Sequence, residues 1–187
     1  PYTCPSCRTW YAGIKFLEKV GTIYMTQPLI LLTNDDGVNS LGLWAVAEAL
    51  SHLGELLVVA PERQWSGAGR SMPHTVSARL TPSERTVNGQ SVTTYAIDAS
   101  PAHAVVYAVI ELAPRRPDLV VSGINLGENM STEVTVSGTV GAALEGATFG
   151  IPALAISLET SMAHHFSDGK GVDYAAAVDY TLYFAQR

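Results

Sequence analysis

Pro28-Leu29-Ile30-Leu31-Leu32-Thr33-Asn34-Asp35-Asp36-Gly37 is a continuous apolar run that breaks abruptly into one amide, two carboxylates and a glycine. A strand without polar alternation is covered on both faces, which is the pattern of a parallel sheet flanked by helices. Its end, Asn34 to Gly37, reads as a turn. Working outward, Ser40 is placed to cap a helix in which Leu41, Trp44, Ala47 and Leu50 recur at helical spacing, and Gly54 sits where a C-terminal glycine cap belongs. Glu55 to Ala60 is the next strand, stopped by Pro61. A polar loop from Glu62 to Arg70 leads into a β-rich stretch, Pro73 to Ile97, whose Asn88-Gly89 predicts a hairpin that we read as an antiparallel insertion.

Ser100-Pro101 opens a second helix with a cap residue followed by proline, and Ala104, Val105, Ala108, Val109 and Leu112 form its apolar stripe. Asp118 to Gly123 is a third buried strand, Thr139 to Phe149 a helix of small residues, Pro152 to Leu158 a fourth strand, and Val172 onward a last helix. Strands alternating with helices predict an α/β fold, a Rossmann-like, doubly wound, mostly parallel sheet carrying a β-hairpin insertion.

The 187 residues suit one domain, and 47% hydrophobic against 15% charged residues is the composition of a packed globular chain. The net charge of −6 arises from 17 acidic and 11 basic residues with no basic cluster, so no nucleic-acid polymer is expected as a partner. A phosphate ester would need its positive partner from elsewhere, and a divalent cation is the natural source. No apolar run reaches membrane-spanning length and the first 27 residues lack the features of a secretory signal, so the expectation is no membrane and a cytoplasmic location. Cys4 and Cys7 form one CxxC without a second ligand pair for zinc, and residues 1–24 read as an extra N-terminal segment outside a core of residues 25–187.

In open α/β sheets ligands bind beyond the carboxyl ends of the strands. Here those ends carry Asn34-Asp35-Asp36-Gly37, Gln64-Trp65-Ser66-Gly67 and Ser122 to Asn129, all short oxygen donors or glycines. Two adjacent carboxylates repel each other unless a cation lies beside them, so Asp35 and Asp36 suggest a metal site, and hard oxygen ligands suit Mg²⁺ or Mn²⁺. The alternative is a turn that only caps the next helix. Ser137-Gly138-Thr139 precedes a helix whose free N–H groups can hold an anion, or is an ordinary N-cap. His74, His103, His164 and His165 lie in an insertion, a helix and a late loop with no nucleophile motif nearby, and read as solvated or packed.

Four stretches, Ile30 to Gly37, Val59 to Gly67, Val121 to Gly127 and Ser137 to Gly146, together resemble the SurE family of stationary-phase survival proteins. The resemblance implies a metal-dependent 5′(3′)-nucleotidase of nucleoside monophosphates with a Rossmann-like core, dimeric or tetrameric, often with exopolyphosphatase activity. It places the metal ligands on Asp35, Asp36, Ser66 and Asn125, and the phosphate-binding residues on Asn129, Ser137, Gly138 and Thr139 with Asn34 nearby. Relative to the family the chain looks truncated at its C-terminus.

On this reading one Mg²⁺ or Mn²⁺ polarises the phosphoryl group, and Asp35 or Asp36 acts as general base or as nucleophile. Two competitors differ in their signatures. A Rossmann-type oxidoreductase needs G-x-G-x-x-G after the first strand, which Asn34 to Gly37 is not. A non-catalytic, nucleotide-binding or interaction module in which the acidic turn is only structural predicts no metal-dependent change in thermal stability.

Overall fold

The structure, a computed structural model, describes residues 27–74, 77–165, 167 and 169–187. The segment 1–24, with its CxxC, lies outside the described residues. The chain order is β1 (Leu29–Thr33), α1 (Leu41–Leu50), β2 (Glu55–Pro61), β3 (Leu80–Val87), β4 (Gln90–Ile97), α2 (Pro101–Tyr107), β5 (Leu119–Leu126), α3 (Gly138–Thr148), β6 (Ala153–Leu158) and α4 (Ala175–Ala185). The strands form one sheet in the order β3-β4-β2-β1-β5-β6. β1 pairs in parallel with both β2 and β5, and β5 with β6.

The buried run of β1 explains itself in this arrangement. Ile30 and Leu32 join Leu43, Val46 and Leu50 of α1 and Ala177 of α4 in one apolar layer. Leu29 and Leu31 face the opposite layer with Val105 of α2 and Ala142 of α3. A central strand covered on both sides has no face left for polar residues, so alternation is absent. The sheet is doubly wound, as expected.

The hairpin is present, with Asn88 and Gly89 at φ of 49° and 79°, but it is not an appendage. β4 pairs in parallel with β2 from Leu57↔Thr93 to Pro61↔Ile97, so it extends the main sheet, and β3 lies antiparallel at the edge. Val92, Thr94 and Ile97 of β4 are buried, which makes it a strand of the core. Other local expectations shift for physical reasons. Ser40 makes no side-chain cap to α1, whereas Ser100 accepts from His103 N and Ser137 from Val140 N. Gly54 is required by crowding, since a Cβ there would stand 2.2 Å from the Pro28 carbonyl oxygen. The second helix loosens into a π-turn over Ala108–Leu112, where Ala113 N donates to Ala108 O at 2.8 Å. The last helix begins at Ala175, three residues after its apolar pattern.

β1 connects through α1 to β2 on one side, while β4 connects through α2 to β5 on the other. The switch point therefore lies between β1 and β5, whose carboxyl ends carry Asn34 to Gly37 and Asn125. Crevices form where the connections diverge, and this one is where a ligand is expected. Among the described residues, no helix is long and apolar enough to cross a membrane.

Candidate active site

The turn after β1 is built by Asn34. Its Nδ2 donates to Gly37 O and its Oδ1 accepts from Gly37 N, both at 3.1 Å, and Gly37 adopts φ 101°. Both ends of the buried amide are thus spent on the turn, and Asn34 presents its neighbours instead of meeting a phosphate. This differs from its expected place in the phosphate-binding set.

Asp35 is buried, and its Oδ1 accepts from Thr139 Oγ1 at 2.6 Å. Gly138 presses against it: a Cβ at 138 would fall 2.7 Å from the Asp35 Cβ and 2.8 Å from Oδ2. Burial pushes the Asp35 carboxyl above the ordinary carboxylate range, against the lowering effect of its hydrogen bonds with Thr139. Asp36 Oδ1 accepts from Gln64 Nε2 at 3.3 Å and Oδ2 from Leu126 N at 3.2 Å. Burial first, and then the charge of Asp35, push the Asp36 carboxyl up to about 7.

The second and third loops are tied to this turn. Trp65 N donates to Asp35 O at 2.7 Å, which sets Ser66 beside the carboxylates. β5 runs further than expected, to Leu126, across a register shift between Ser122 and Asn125 and a cis Gly123–Ile124 peptide. Asn125 consequently sits on the end of a strand. Its Nδ2 donates to Gly127 O at 2.8 Å, which leaves Oδ1 as the open atom of the amide, a hard oxygen donor.

Asp35, Ser66, Asn125, Asn129 and Ser137 line one cavity of about 380 Å³. Asp36 stands beside that cavity, and Asn34, Gly138 and Thr139 lie behind its wall. Ser137 Oγ accepts from Val140 N at 3.2 Å as the cap of α3, and Asn129 Nδ2 donates to Ser157 Oγ at 2.7 Å. Thr139, expected to hold phosphate, is fully buried and gives its hydroxyl to Asp35, while Gly138 contributes close packing against the same carboxylate. The structure therefore gathers the four expected ligand residues and splits the expected phosphate set into two that meet the cavity and three that build its frame.

Sequence reasoning passed over Met162 and gave His165 no place at the site, yet both line the cavity. The His165 ring lies on Gly127, where a Cβ would come within 3.1 Å of it, and its Nε2 is 3.2 Å from Thr160 O. A lone histidine in a late loop carries no local signal of such a position; its ring is packed against Gly127, as expected of a packed histidine, but at the cavity's edge. Glu128 and Glu133 complete the acidic side, and among the described residues no Lys or Arg lines the cavity.

The residues present fit a divalent cation. No group of three or more His, Cys, Asp or Glu side chains able to hold a metal occurs among the described residues, so a cation here would combine the two carboxylates with neutral oxygens from Ser66 and Asn125. Such a donor set is hard and favours Mg²⁺ or Mn²⁺ over zinc. Two neighbouring carboxyls that hold protons so firmly are also a pair that a cation would relieve.

Fold and site together define an α/β protein whose oxygen-donor centre occupies the switch point of a doubly wound sheet. The profile of the family described as Survival protein SurE matches residues 30–185, and the chain belongs to that family. Among relatives, a protein of Thermococcus gammatolerans named 5′-nucleotidase SurE is 46% identical over 151 residues, covering 81% of this chain and 55% of its own. One of Archaeoglobus fulgidus with the same name is 50% identical over 149 residues, covering 79% of this chain and 56% of its own. The crystal structure of the SurE protein from Aquifex aeolicus superposes with a TM-score of 0.66 at 34% identity, covering 85% of this chain and 59% of that one. The chain thus spans a little over half the length of these relatives.

Proposed function

We propose that this chain carries the catalytic core of a metal-dependent phosphomonoesterase that hydrolyses nucleoside 5′- and 3′-monophosphates to nucleoside and phosphate. The observation that carries the reading is the meeting of Asp35, Ser66, Asn125 and Ser137 in one cavity, with Asp36 beside it. The relatives named 5′-nucleotidase SurE supply the substrate class. Asp35, Asp36, Ser66 and Asn125 would hold the cation, which when bound supplies positive charge to the phosphoryl oxygens that no Lys or Arg supplies here.

The chain's own residues do the remaining work. Ser137 and Asn129 face the space where phosphate oxygens would lie, while at the start of α3 the N–H groups of Gly138 and Thr139 serve the Asp35 carboxylate and that of Val140 is taken by Ser137 Oγ. Thr139 fixes the Asp35 carboxylate by its hydroxyl, so one of the two oxygens is left to face the cavity. Asp35 is placed to accept the proton of the attacking water; as the new P–O bond forms, the bond to the sugar oxygen breaks and that oxygen takes a proton. Asp36 offers the second carboxylate, and attack by an Asp on phosphorus followed by hydrolysis is the competing route.

A leaving group without charge suits the rest of the cavity. Glu128 and Glu133 repel a further anion, so a nucleoside is accommodated better than a polyphosphate tail, which disfavours exopolyphosphatase activity. Assembly as a homodimer or tetramer and a cytoplasmic location belong to the same proposal, the former supported by exposed Leu144, Tyr180 and Phe184.

The test is phosphate release from a panel of nucleoside monophosphates with Mn²⁺, Mg²⁺ or EDTA, with Asp35→Asn alongside. Turnover that needs the cation and falls at least a hundredfold in the variant is the expected result. Equal release after chelation would refute metal dependence, and nucleotide binding without any release would leave a binding module.

A further inference from the structure

Gln64 touches both a carboxylate of the cation site and the segment that lines the cavity from the far end of the sequence. Its Nε2 donates to Asp36 Oδ1 at 3.3 Å and to His165 O at 2.9 Å. An amide nitrogen has two hydrogens, so both are used. The second support of that segment is Gly127, on which the His165 ring rests. Thr160 O closes the turn by meeting His165 Nε2. The result is a short wall, Thr160 to His165, that brings Met162 and the His165 ring to the cavity.

The cavity is far larger than its oxygen-rich part needs. Liquid water takes about 30 Å³ per molecule, so a phosphate group and a cation fill only a few such volumes. Beside its oxygen donors, the 380 Å³ cavity is also lined by Met162, His165 and Val136. Such surfaces suit a flat, neutral, partly apolar group, and a base with its sugar has those properties.

We propose that Gln64 is a positioning residue that couples the Asp36 carboxylate to a nucleoside-holding wall made by Met162 and His165. The inference rests on the phosphomonoesterase reading above. Gln64 sets the distance between the cation site and the wall, so that a substrate held at both ends presents its phosphorus to the water beside the Asp35 carboxylate. His165 and Met162 contact the leaving nucleoside, and Gln64 acts through them.

The test compares full-length wild type, Gln64→Ala, Gln64→Glu, His165→Ala and the double variant Gln64→Ala/His165→Ala. Substrates are a nucleoside 5′-monophosphate and methyl phosphate, which has no nucleoside, with saturating Mn²⁺. Amide hydrogen exchange of residues 160–165 is followed in parallel. The expected result is a KM for the nucleotide raised about tenfold in His165→Ala and in Gln64→Ala, with the KM for methyl phosphate raised less than twofold. In the double variant the two effects do not multiply, because loss of Gln64 has already released the wall. Gln64→Glu cannot donate to His165 O and adds a carboxylate against Asp36, so like Gln64→Ala it releases the wall, and in both the exchange of 160–165 speeds up.

Equal loss of kcat on both substrates with KM unchanged would overturn the proposal, since Gln64 would then serve Asp36 alone. Multiplicative effects in the double variant, or unchanged exchange in the 160–165 segment, would overturn it as well. Turnover of neither substrate by wild type would instead sink the phosphomonoesterase reading, whatever the exchange data show.

Discussion

Replacing Asp36 by asparagine should make the metal-free protein more stable and the metal-loaded protein less so. In the folded state burial and the Asp35 charge push the Asp36 carboxyl up to about 7, from an ordinary value of 3.8. The folded protein then holds that proton more firmly than the unfolded chain does. Stability of the cation-free protein is accordingly lost as pH rises from about 4 to about 7, and the loss is complete above 7. Each pH unit of that window is worth about 1.4 kcal/mol, so the full destabilisation at pH 8 is at most about 4 kcal/mol. Asparagine removes it and keeps an oxygen to accept from Leu126 N, but its amide nitrogen cannot accept from Gln64, a loss of about 1 kcal/mol. Water reaching the half-buried group reduces the gain further, leaving a net 1–3 kcal/mol or so, roughly 3–10 °C in Tm for a domain of this size. Divalent cation reverses the order: at a hundred times its Kd it stabilises wild type by nearly 3 kcal/mol, and little of that survives removal of a ligand. Differential scanning calorimetry at pH 8 in EDTA and in Mn²⁺, on both proteins, measures all four values. If Asp36→Asn melted no higher than wild type in EDTA, or if Mn²⁺ raised both midpoints equally, the account of a strained carboxylate pair relieved by a cation would be wrong.

Thr139→Val keeps the shape of the side chain and removes the 2.6 Å bond to Asp35, so Mn²⁺ affinity should fall about 10- to 100-fold, read by isothermal titration, while the fold is retained. Gly138→Ala should act on the same carboxylate by force, since its Cβ would stand 2.8 Å from Oδ2; kcat should fall by at least an order of magnitude with far-UV circular dichroism unchanged. Glu128→Gln/Glu133→Gln should raise kcat/KM for tripolyphosphate relative to a nucleoside monophosphate several-fold at low ionic strength, an advantage that disappears by about 0.5 M salt as exposed charges are screened. A ratio unmoved by the double change at low salt would remove the rim from the account of selectivity.

What was legible in the sequence was what one segment states about itself. The unbroken apolar run of β1 announces a strand covered on both sides, and the polar break at Asn34 to Gly37 announces where such a strand meets a crevice. From those two facts, and the order of strands and helices, Asp35, Asp36, Ser66 and Asn125 could be assigned to one end of the sheet. The parts that were missed depend on pairings between distant segments. Whether Gln90–Ile97 stands apart or joins the sheet depends on its register with β2, and its alternating burial is equally compatible with a free hairpin until β2 is beside it. Gly54 looks like a helix cap in its own neighbourhood, and only the Pro28 carbonyl shows that space, not φ, demands it.

The site divides in the same way, and the division has a mechanical meaning. Thr139 meets Asp35 across 104 residues, Gln64 meets His165 across 101, and Leu126 N meets Asp36 across 90. None of these contacts leaves a periodic or spacing signal, because each partner satisfies a rule of its own locally: Thr139 opens a helix, Gln64 sits in a polar loop, His165 in a late one. Yet these long-range bonds decide which groups face the cavity. They turn Thr139 inward as frame against Asp35, tie the Asp36 carboxylate to the end of β5, and bring His165 to the wall. Residue chemistry could be read from the motif, whereas the assignment of each side chain to contact or to support required the fold, since only the fold fixes which hydrogen-bonding atoms are already spent.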